Sequence, residues 1–505
     1  MTKIRGILLY RFLTVSLIIG LYLATRFQNL TFIPVFGDEA IYLRWSQIIK
    51  NVETLRFIPQ TDGKQPLFMW ITVIFFKFIK DPLAAGRTLS VLSGFGTMII
   101  LFVTYSIIEN YHSNNTHPLK FIFESINNHF FVSLIPCIIY IFLPFSFFFD
   151  RMALPDNLLS FFGILSLFLS LLLSKFRRLD LALLLGFALG LSWLTKSPAI
   201  YFIVLSVLTY VFYLSKNTKT IILPVISVVL AFIIYNILRL GPQFHMIALR
   251  NKDYVWTLSE IIRHPLDPLV PHLWDVVHIF SLYISIPLFL IVFLFLQNKF
   301  KRDQLVVFFW FILPLIASAA MSKVFTARYI LFTLPPLIIL ISRGAQSFVS
   351  NSRFKILTFL LLFTINLSTI YQLSYKPFYA KLPSTEQGYL SDWTSGWGIN
   401  EAAIFLRERA KVSNVIVGTE GYFGTLPDGL QIYTQNTSQL TVFGVGLGFN
   451  FIPEKLIDAK NHGDEVYLLI NKSRNNLHFM EMEKIKLIKS FPKPQNDSLD
   501  LYQIT

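Results

Sequence analysis

Apolar runs long enough to cross a bilayer recur throughout residues 1–371, and this constrains the chain more than any motif does. A crossing helix needs roughly 20 mostly apolar residues to match the hydrocarbon thickness. Ile7 to Ala24, interrupted only by Arg11, approaches that length. No small-residue cleavage site follows it, so it reads as a retained first span. Further candidates are 83–108, 129–149, 157–174, 180–196, 198–214, 219–238, 273–296, 304–321, 325–342 and 354–371. The expectation is an α-helical polytopic membrane protein of about eleven spans. With 54% hydrophobic and 14% charged residues, a soluble or disordered chain is excluded.

The formal charge of +15 invites a nucleic-acid reading, but the basic residues flank apolar runs instead of forming a stripe, so they report topology. Pro66 to Ile79, about fourteen residues carrying Lys77, suits an interfacial helix better than a crossing. With Lys3 and Arg5 inside, the clusters Lys175–Arg177–Arg178, Lys216–Lys219, Lys299–Lys301–Arg302 and Arg343–Arg353–Lys355 all fall inside only if 66–79 does not cross. The stretches 25–82, 150–156, 239–272 and the tail then lie outside, on the extracytoplasmic side of a plasma (inner) membrane. The tail, 372–505, has 13 basic and 14 acidic residues, against 31 and 15 in 1–371, and reads as a separate charge-balanced domain. Its pattern is α/β: a helix at Glu401 to Arg409, then β-rich runs at Val415–Val417, Leu440–Phe443, Val466–Ile470 and Lys486–Ile488. The single cysteine, Cys137, excludes a disulfide within the chain and any cysteine-rich metal site.

The expected outer face carries the unusual residues. After Phe36-Gly37-Asp38-Glu39, the positions Ile41, Trp45, Ile48 and Ile49 recur at helical spacing, predicting a short amphipathic helix on the membrane surface. Asp38 suits an N-cap there, and equally suits a general base or cation ligand at the bilayer edge. The loop 150–156 packs Asp150, Arg151 and Asp156 between two apolar runs, where ionisable groups are costly unless paired or functional. Its plain reading is an Asp150–Arg151 ion pair with Asp156 capping the next helix. Lys64-Gln65-Pro66, Lys196-Ser197-Pro198 and Arg328-Tyr329 put cations at the same face, as a lipid-linked phosphate would require. The loop 239–272 adds Arg250, Lys252, Asp253, Arg263, His264, Asp267 and His272, without a recognised zinc spacing, and suits a flap over a lipid head group. No Walker loop, dinucleotide fingerprint or nucleophile elbow is present.

This order, an acidic pair after the first span, Lys-x-Pro, Arg-x-Ala-Leu-Pro-Asp-Asn, and Leu-Thr-Lys-x-Pro after the fifth span, resembles the GT-C superfamily of integral-membrane glycosyltransferases, in particular bacterial relatives of protein O-mannosyltransferase and lipid A aminoarabinose transferase. The resemblance covers residues 1–371. It implies a glycosyltransferase domain over 1–371 and an extracytoplasmic α/β domain over 372–505. It further implies inverting transfer of a hexosyl or pentosyl unit from a polyprenyl or dolichyl phosphate to a protein or glycolipid acceptor. Asp38 would be the base, with Glu39 beside it and Asp156 as a second acid. Lys64, Lys196, Arg328 and Tyr329 would hold the departing phosphate. Some relatives carry an acidic residue directly before the lysine of Lys-x-Pro, where this chain has Gly63. A Mg²⁺ or Mn²⁺ cofactor is therefore left open, with Asp38, Asp62 and Asp156 as candidate ligands. The alternative class is a transporter or flippase of lipid-linked sugars, which usually carries its ionisable groups near the bilayer midplane.

Overall fold

The structure, a computed structural model, describes residues 2–214, 218–290, 302–349 and 363–505. Lys216, Lys299, Lys301, Arg353, Lys355 and parts of the expected spans 273–296 and 354–371 lie outside the described residues. The chain forms two compact units: Met1–Gln28, Arg56–Phe68 and Thr88–Tyr371 make the first, and Asn29–Leu55, Met69–Arg87 and Gln372–Thr505 the second. The boundary therefore differs from one drawn at 371/372, because much of the 25–82 loop is grouped with the tail.

The first unit is helical. In chain order the helices that form, alone or with an adjoining 3-10 turn, the span-length apolar segments are α1 (Thr2–Phe27), α4 (Pro82–Glu109), α8 (Pro155–Phe176), α11 (Ile222–Tyr235), α15 (Arg302–Met321) and α16 (Leu334–Val349). Shorter ones between them are α2 (Gly37–Asn51), α3 (Leu67–Phe75), α5 (Pro118–His129), α6 (Leu134–Phe142), α7 (Pro144–Asp150), α9 (Leu179–Thr195), α10 (Ile200–Phe212), α12 (Phe244–Tyr254), α13 (Leu258–Arg263) and α14 (Leu269–Tyr283). Of these, α2 belongs to the second unit, and the division falls within α3 and α4. Among the described residues six helical segments are long and apolar enough to cross a membrane, or seven if α5 and α6, bent by 75°, count as one. The expected number was about eleven. Two of the expected spans, 273–296 and 354–371, lie partly outside the described residues, and other runs break into shorter helices: α6 and α7 part before Pro144, and α9 and α10 are apolar but short. The expected interfacial segment forms the nine-residue α3. The chain is a multi-pass membrane protein.

Small residues and buried ion pairs explain how the helices fit. Gly186 and Gly190 on α9 face α11 so closely that an added Cβ would lie 2.9 Å from Leu230 Cβ and 2.7 Å from Ile234 Cβ. Four-residue spacing of small side chains lets two helices approach where hydrocarbon gives no hydrophobic drive to pair. Asp150, expected to pair with Arg151, instead accepts a hydrogen bond from Arg26 Nε at 3.1 Å, with both side chains fully buried. The hydroxyls of Tyr22 and Tyr140 donate to the same carboxylate at 3.1 and 2.9 Å, and Arg26 also donates to Ile141 O at 2.7 Å. Gly94 leaves room for this knot, since a Cβ there would meet Asp150 Oδ1 at 2.3 Å. A buried pair is tolerated when its remaining donors and acceptors are satisfied, as they are around Arg26.

The second unit is built on a five-stranded mixed sheet of order β2-β1-β3-β5-β4, with β1 (Val415–Glu420), β2 (Leu440–Gly446), β3 (Glu465–Asn471), β4 (Ile485–Pro492) and β5 (Ser498–Ile504). Strands β2, β1 and β3 run parallel, and β5 and β4 close the sheet antiparallel. Further helices of this unit are α18 (Ile399–Arg409), α19 (Asp428–Thr434) and α20 (Glu454–Asn461), numbered after α17 (Phe363–Tyr375) of the first-unit boundary region. Leu456 of α20 packs on Val466, Leu468 and Ile470 of β3, a buried aliphatic layer. Each such side chain contributes about 1.5–3 kcal/mol. The expected α/β character is present, and four of the five strands cover the β-rich runs.

Helix α2 was expected on the membrane surface. Within the second unit its Ala40–Gln47 side packs against α19: Gln47 donates to Ile432 O at 2.8 Å, and Gly429 lies beneath Ala40.

Candidate functional site

In the first unit, the segments after α9, before α3 and at the end of α12 meet around a cavity of about 310 Å³. Their lining includes Lys64, Lys196, Arg250, Tyr254, Tyr201 and Tyr329. Lys196 follows the last turn of α9, where Pro198 stops the helix. Its ammonium donates to Asp156 Oδ1 at 2.6 Å and lies 4.7 Å from the Tyr329 ring centroid. Lys64 and Arg250 line the same cavity and Arg328 stands beside Tyr329, so four cationic side chains gather in one neighbourhood. The expected cap at Asp156 is not formed. It sits in the first turn of α8, 2% exposed, and turns to Lys196, while Oδ2 has no hydrogen-bond partner among the described residues.

Lys64 lies 3.8 Å from Asp62 Oδ2 and 4.3 Å from the Tyr254 ring centroid. Asp62 is committed more tightly to Arg250, whose Nη2 and Nε donate to Oδ1 at 2.7 and 3.0 Å. Gly63 makes this approach possible. Its φ is +69°, and a Cβ would meet Arg250 Cβ at 2.6 Å and Met246 O at 2.8 Å. The left-handed conformation favours glycine, and the space leaves no room for a side chain unless Arg250 or the Met246 backbone shifts. Gln65 ties the neighbouring backbone across by donating to Ser197 Oγ at 2.7 Å. Arg328 stands beside Tyr329, 5.3 Å from its ring centroid.

Lys64, Lys196 and Tyr329 thus line one cavity, with Asp156 and Arg328 immediately behind Lys196 and Tyr329. Arg250, expected only as one of the charged residues of the 239–272 loop, also lines it, as do Tyr254 and Tyr201, which were not singled out. The available signal was a guanidinium three residues before Asp253 on a helical stretch, and the two do pair at 2.7 Å. The candidate metal ligands Asp62 and Asp156 already face cations, and among the described residues no group of three or more His, Cys, Asp or Glu side chains gathers to hold a metal ion.

Asp38 and Glu39 lie in the second unit. Helix α2 is capped at Phe36, not Asp38, because the Glu39 carboxylate reaches back and accepts from Phe36 N at 3.0 Å. Glu39 is fully buried and also accepts from Arg87 Nε and Nη2 at 2.9 and 2.7 Å. Arg87 in turn donates to the carbonyls of Leu30, Ile33 and Pro34 at 2.8, 2.8 and 3.0 Å. So enclosed, Glu39 meets no substrate; it fixes the loop that presents its neighbour. Gly37 N donates to Thr394 O at 3.1 Å and Gly396 N to Val35 O at 2.8 Å, clamping the same loop from the other side. Asp38 is half-buried in the first turn of α2, next to this frame.

The whole architecture can be compared with known proteins. The crystal structure of ArnT from Cupriavidus metallidurans bound to undecaprenyl phosphate superposes with a TM-score of 0.59 at 12% identity, covering 96% of this chain and 97% of that one. The chain has the ArnT fold. The apo ArnT structure gives a TM-score of 0.57 at 12% identity over 99% of this chain and 98% of its own. At this identity the likeness to ArnT is one of fold. It bears out the GT-C-like architecture with a C-terminal α/β region. No family model and no curated protein sequence matches the chain.

Proposed function

We propose that this protein transfers a sugar from a polyprenyl-phosphate carrier to an acceptor hydroxyl or similar group, with inversion, on the extracytoplasmic side of the plasma (inner) membrane. The observation that carries the reading is the cavity lined by Lys64, Lys196, Arg250 and tyrosine rings. A phosphate that departs from an anomeric carbon gains negative charge, and fixed cations in a partly dehydrated pocket stabilise that charge as it develops. Arg250 offers a planar donor set and the two lysines offer point charges. That one ArnT structure of the same fold was solved with undecaprenyl phosphate supports a polyprenyl phosphate as ligand. Asp38 is the proposed base that takes the acceptor proton, on a helix terminus fixed by Glu39 and Arg87. Asp156 holds Lys196 in place. In this reading the N-terminus is cytoplasmic, the α/β unit extracytoplasmic, and the acceptor a protein or glycolipid.

The test is sugar release from radiolabelled polyprenyl-phosphate sugars by the purified full chain in nanodiscs, wild type beside Asp38→Asn, with and without chelator. The expected result is release by the wild type and its loss in Asp38→Asn with carrier binding retained. A folded Asp38→Asn protein that still transfers removes the base, and a wild type that binds the carrier but releases nothing with mixed membrane acceptors overturns the enzyme reading in favour of transport. The chelator lanes decide the Mg²⁺ or Mn²⁺ question.

A further inference from the structure

We propose that the edge of the second unit's sheet at the C-terminal ends of β1, β2 and β3 binds an uncharged saccharide, and that this is the carbohydrate part of the acceptor. The acceptor role rests on the transfer reading above, whereas the binding does not. The chain leaves β1 for β2 on one side and returns to β3 on the other, so its connections diverge at the end of β1. In open α/β sheets, ligands bind in the crevice outside the strand ends at such a reversal, where the parting loops leave backbone and side chains accessible.

Two kinds of surface meet at this edge. On the β3 side Glu420, the last residue of β1, accepts from Asn471 Nδ2 and N at 2.6 and 3.2 Å. Asn471, 1% exposed, keeps its Oδ1 without a partner among the described residues. Arg474 lies over the Trp393 ring, 3.5 Å from its centroid, and its Nη1 stays 4.0 Å from Glu420 Oε1. That approach is too long for a hydrogen bond, so the stack fixes the guanidinium plane without spending its donors. On the β2 side Gly421 N donates to Gly446 O at 2.7 Å, and Gly446 N donates to Gly421 O at 3.2 Å. The turn 421–424 so braced, with φ of +79° and +108° at its two glycines, presents Tyr422 and Phe423 at 74 and 64% exposure. Tyr422 lies along the end of β2, since a Cβ at Gly446 would come within 2.9 Å of its hydroxyl.

A sugar ring is apolar on its C–H faces and carries donors and acceptors around its rim. Exposed aromatic rings match the first surface, and planar carboxylate, amide and guanidinium groups match the second. The charges select as well. Glu420 offsets Arg474, so a phosphate or carboxylate would meet a like charge beside the guanidinium, and an uncharged ligand would not. Three neighbouring strand ends span about 10 Å, the width of one or two sugar rings.

The loop that carries the proposed base is built into the same edge. Gly37 N donates to Thr394 O, next to Trp393, and a Cβ at Gly37 would lie 2.9 Å from Thr425 Oγ1, just past the 421–424 turn. The residue before Asp38 is therefore pinned between the segment that carries Trp393 and the turn that carries Tyr422. A saccharide held between those two flanks has its hydroxyls beside the segment that supplies the base.

The test is saturation-transfer NMR on the full chain in nanodiscs. The probes are the methyl glycosides of glucose, galactose, mannose and N-acetylglucosamine, with cellobiose and lactose, each at about 10 mM, where a millimolar site is mostly filled. At least one should receive saturation at its ring C–H protons, and that signal should fall about threefold to tenfold in Tyr422→Ala and, independently, in Arg474→Gln. Tyr422 is exposed and Arg474 partly so, and both variants should unfold at the wild-type midpoint. Val412→Ala, in the exposed segment before β1 at the opposite edge, should keep the full signal. If no saccharide is saturated, or either variant keeps the full signal, the inference falls and Tyr422 and Phe423 become a contact for protein or lipid. Sugar release from a radiolabelled polyprenyl-phosphate donor by the same wild-type sample would then leave the transfer reading standing. If binding depends on Tyr422 and Arg474 but the wild type releases no sugar from the carrier, the crevice stands as a saccharide site, and the transfer reading falls together with the acceptor role.

Discussion

Two ionic constellations, one in each unit, are made of the same residue types and differ in saturation. Around Glu39 and Arg87 every strong donor meets an acceptor inside the protein, and both side chains are fully buried. Around the cavity, Lys64 keeps a loose 3.8 Å distance to Asp62, and Lys64 and Arg250 remain 29 and 35% exposed. The first arrangement spends its charge on holding backbone. The second retains charge for something that is not part of the chain. Counting ion pairs does not separate these roles, whereas asking what each charge still lacks does.

The comparison can be broken most forcefully at Arg87. Arg87→Ala removes the counter-charge of the buried Glu39 carboxylate and the donor of three carbonyls, and should destabilise the second unit by about 3–5 kcal/mol. Thermal unfolding of the full chain, followed by limited proteolysis within 372–505, measures this; unchanged protection would show that the pair holds nothing. Arg250→Ala should do the reverse, lowering polyprenyl-phosphate affinity about a hundredfold while shifting the unfolding midpoint little, since the pairs it loses, with Asp62 and Asp253, are partly exposed. A large fall in stability with affinity intact would move Arg250 into the same class as Arg87.

Lys493 sharpens the contrast with a smaller effect. It is 3% exposed in the second unit, donates to Ser395 O at 2.5 Å and Asp392 O at 3.3 Å, and burial pushes its pKa down to about 8. Between that value and the ordinary lysine range near 10.4, the unfolded chain binds the extra proton and the folded chain does not. Stability should therefore rise as pH goes from about 8 to 10 and be flat in this respect below 8. Lys493→Met should remove the slope in pH-dependent thermal unfolding, and a slope that persists assigns it to another group.

Local pattern carried the fold well where one helix or strand is its own explanation. The apolar runs behind α1, α4, α8 and α15 are long enough to declare themselves, and the β-branched runs at 415–417 and 466–470 sit inside β1 and β3. Strand β5 was missed because Ser498, Asp500 and Tyr502 look polar in sequence. Within the unit they satisfy one another, with Asp500 accepting from Ser490 and Ser498 at 2.5 and 2.9 Å. Partnership across long separations was also illegible. Asp150 finds Arg26 rather than its neighbour Arg151, and Arg250 reaches Asp62 from 188 residues away. Lys64, Lys196 and Tyr329 were readable as a group because each sits at a helix end beside proline or an aromatic ring. The saturation of Glu39 was illegible for the opposite reason, since nothing local marks a carboxylate that Arg87 will enclose.

The Arg26–Asp150 knot also has a history within each molecule's synthesis. The two residues are 124 positions apart, so a ribosome adding about 5–20 residues per second exposes the arginine on the order of ten seconds before its counter-charge exists. During that interval α1 has to keep a guanidinium at the bilayer edge, near its own C-terminal turn, by extending the side chain toward water. Only when α7 arrives can the helix settle to its final depth. Helix α1 is thus made early and gains its buried counter-charge late.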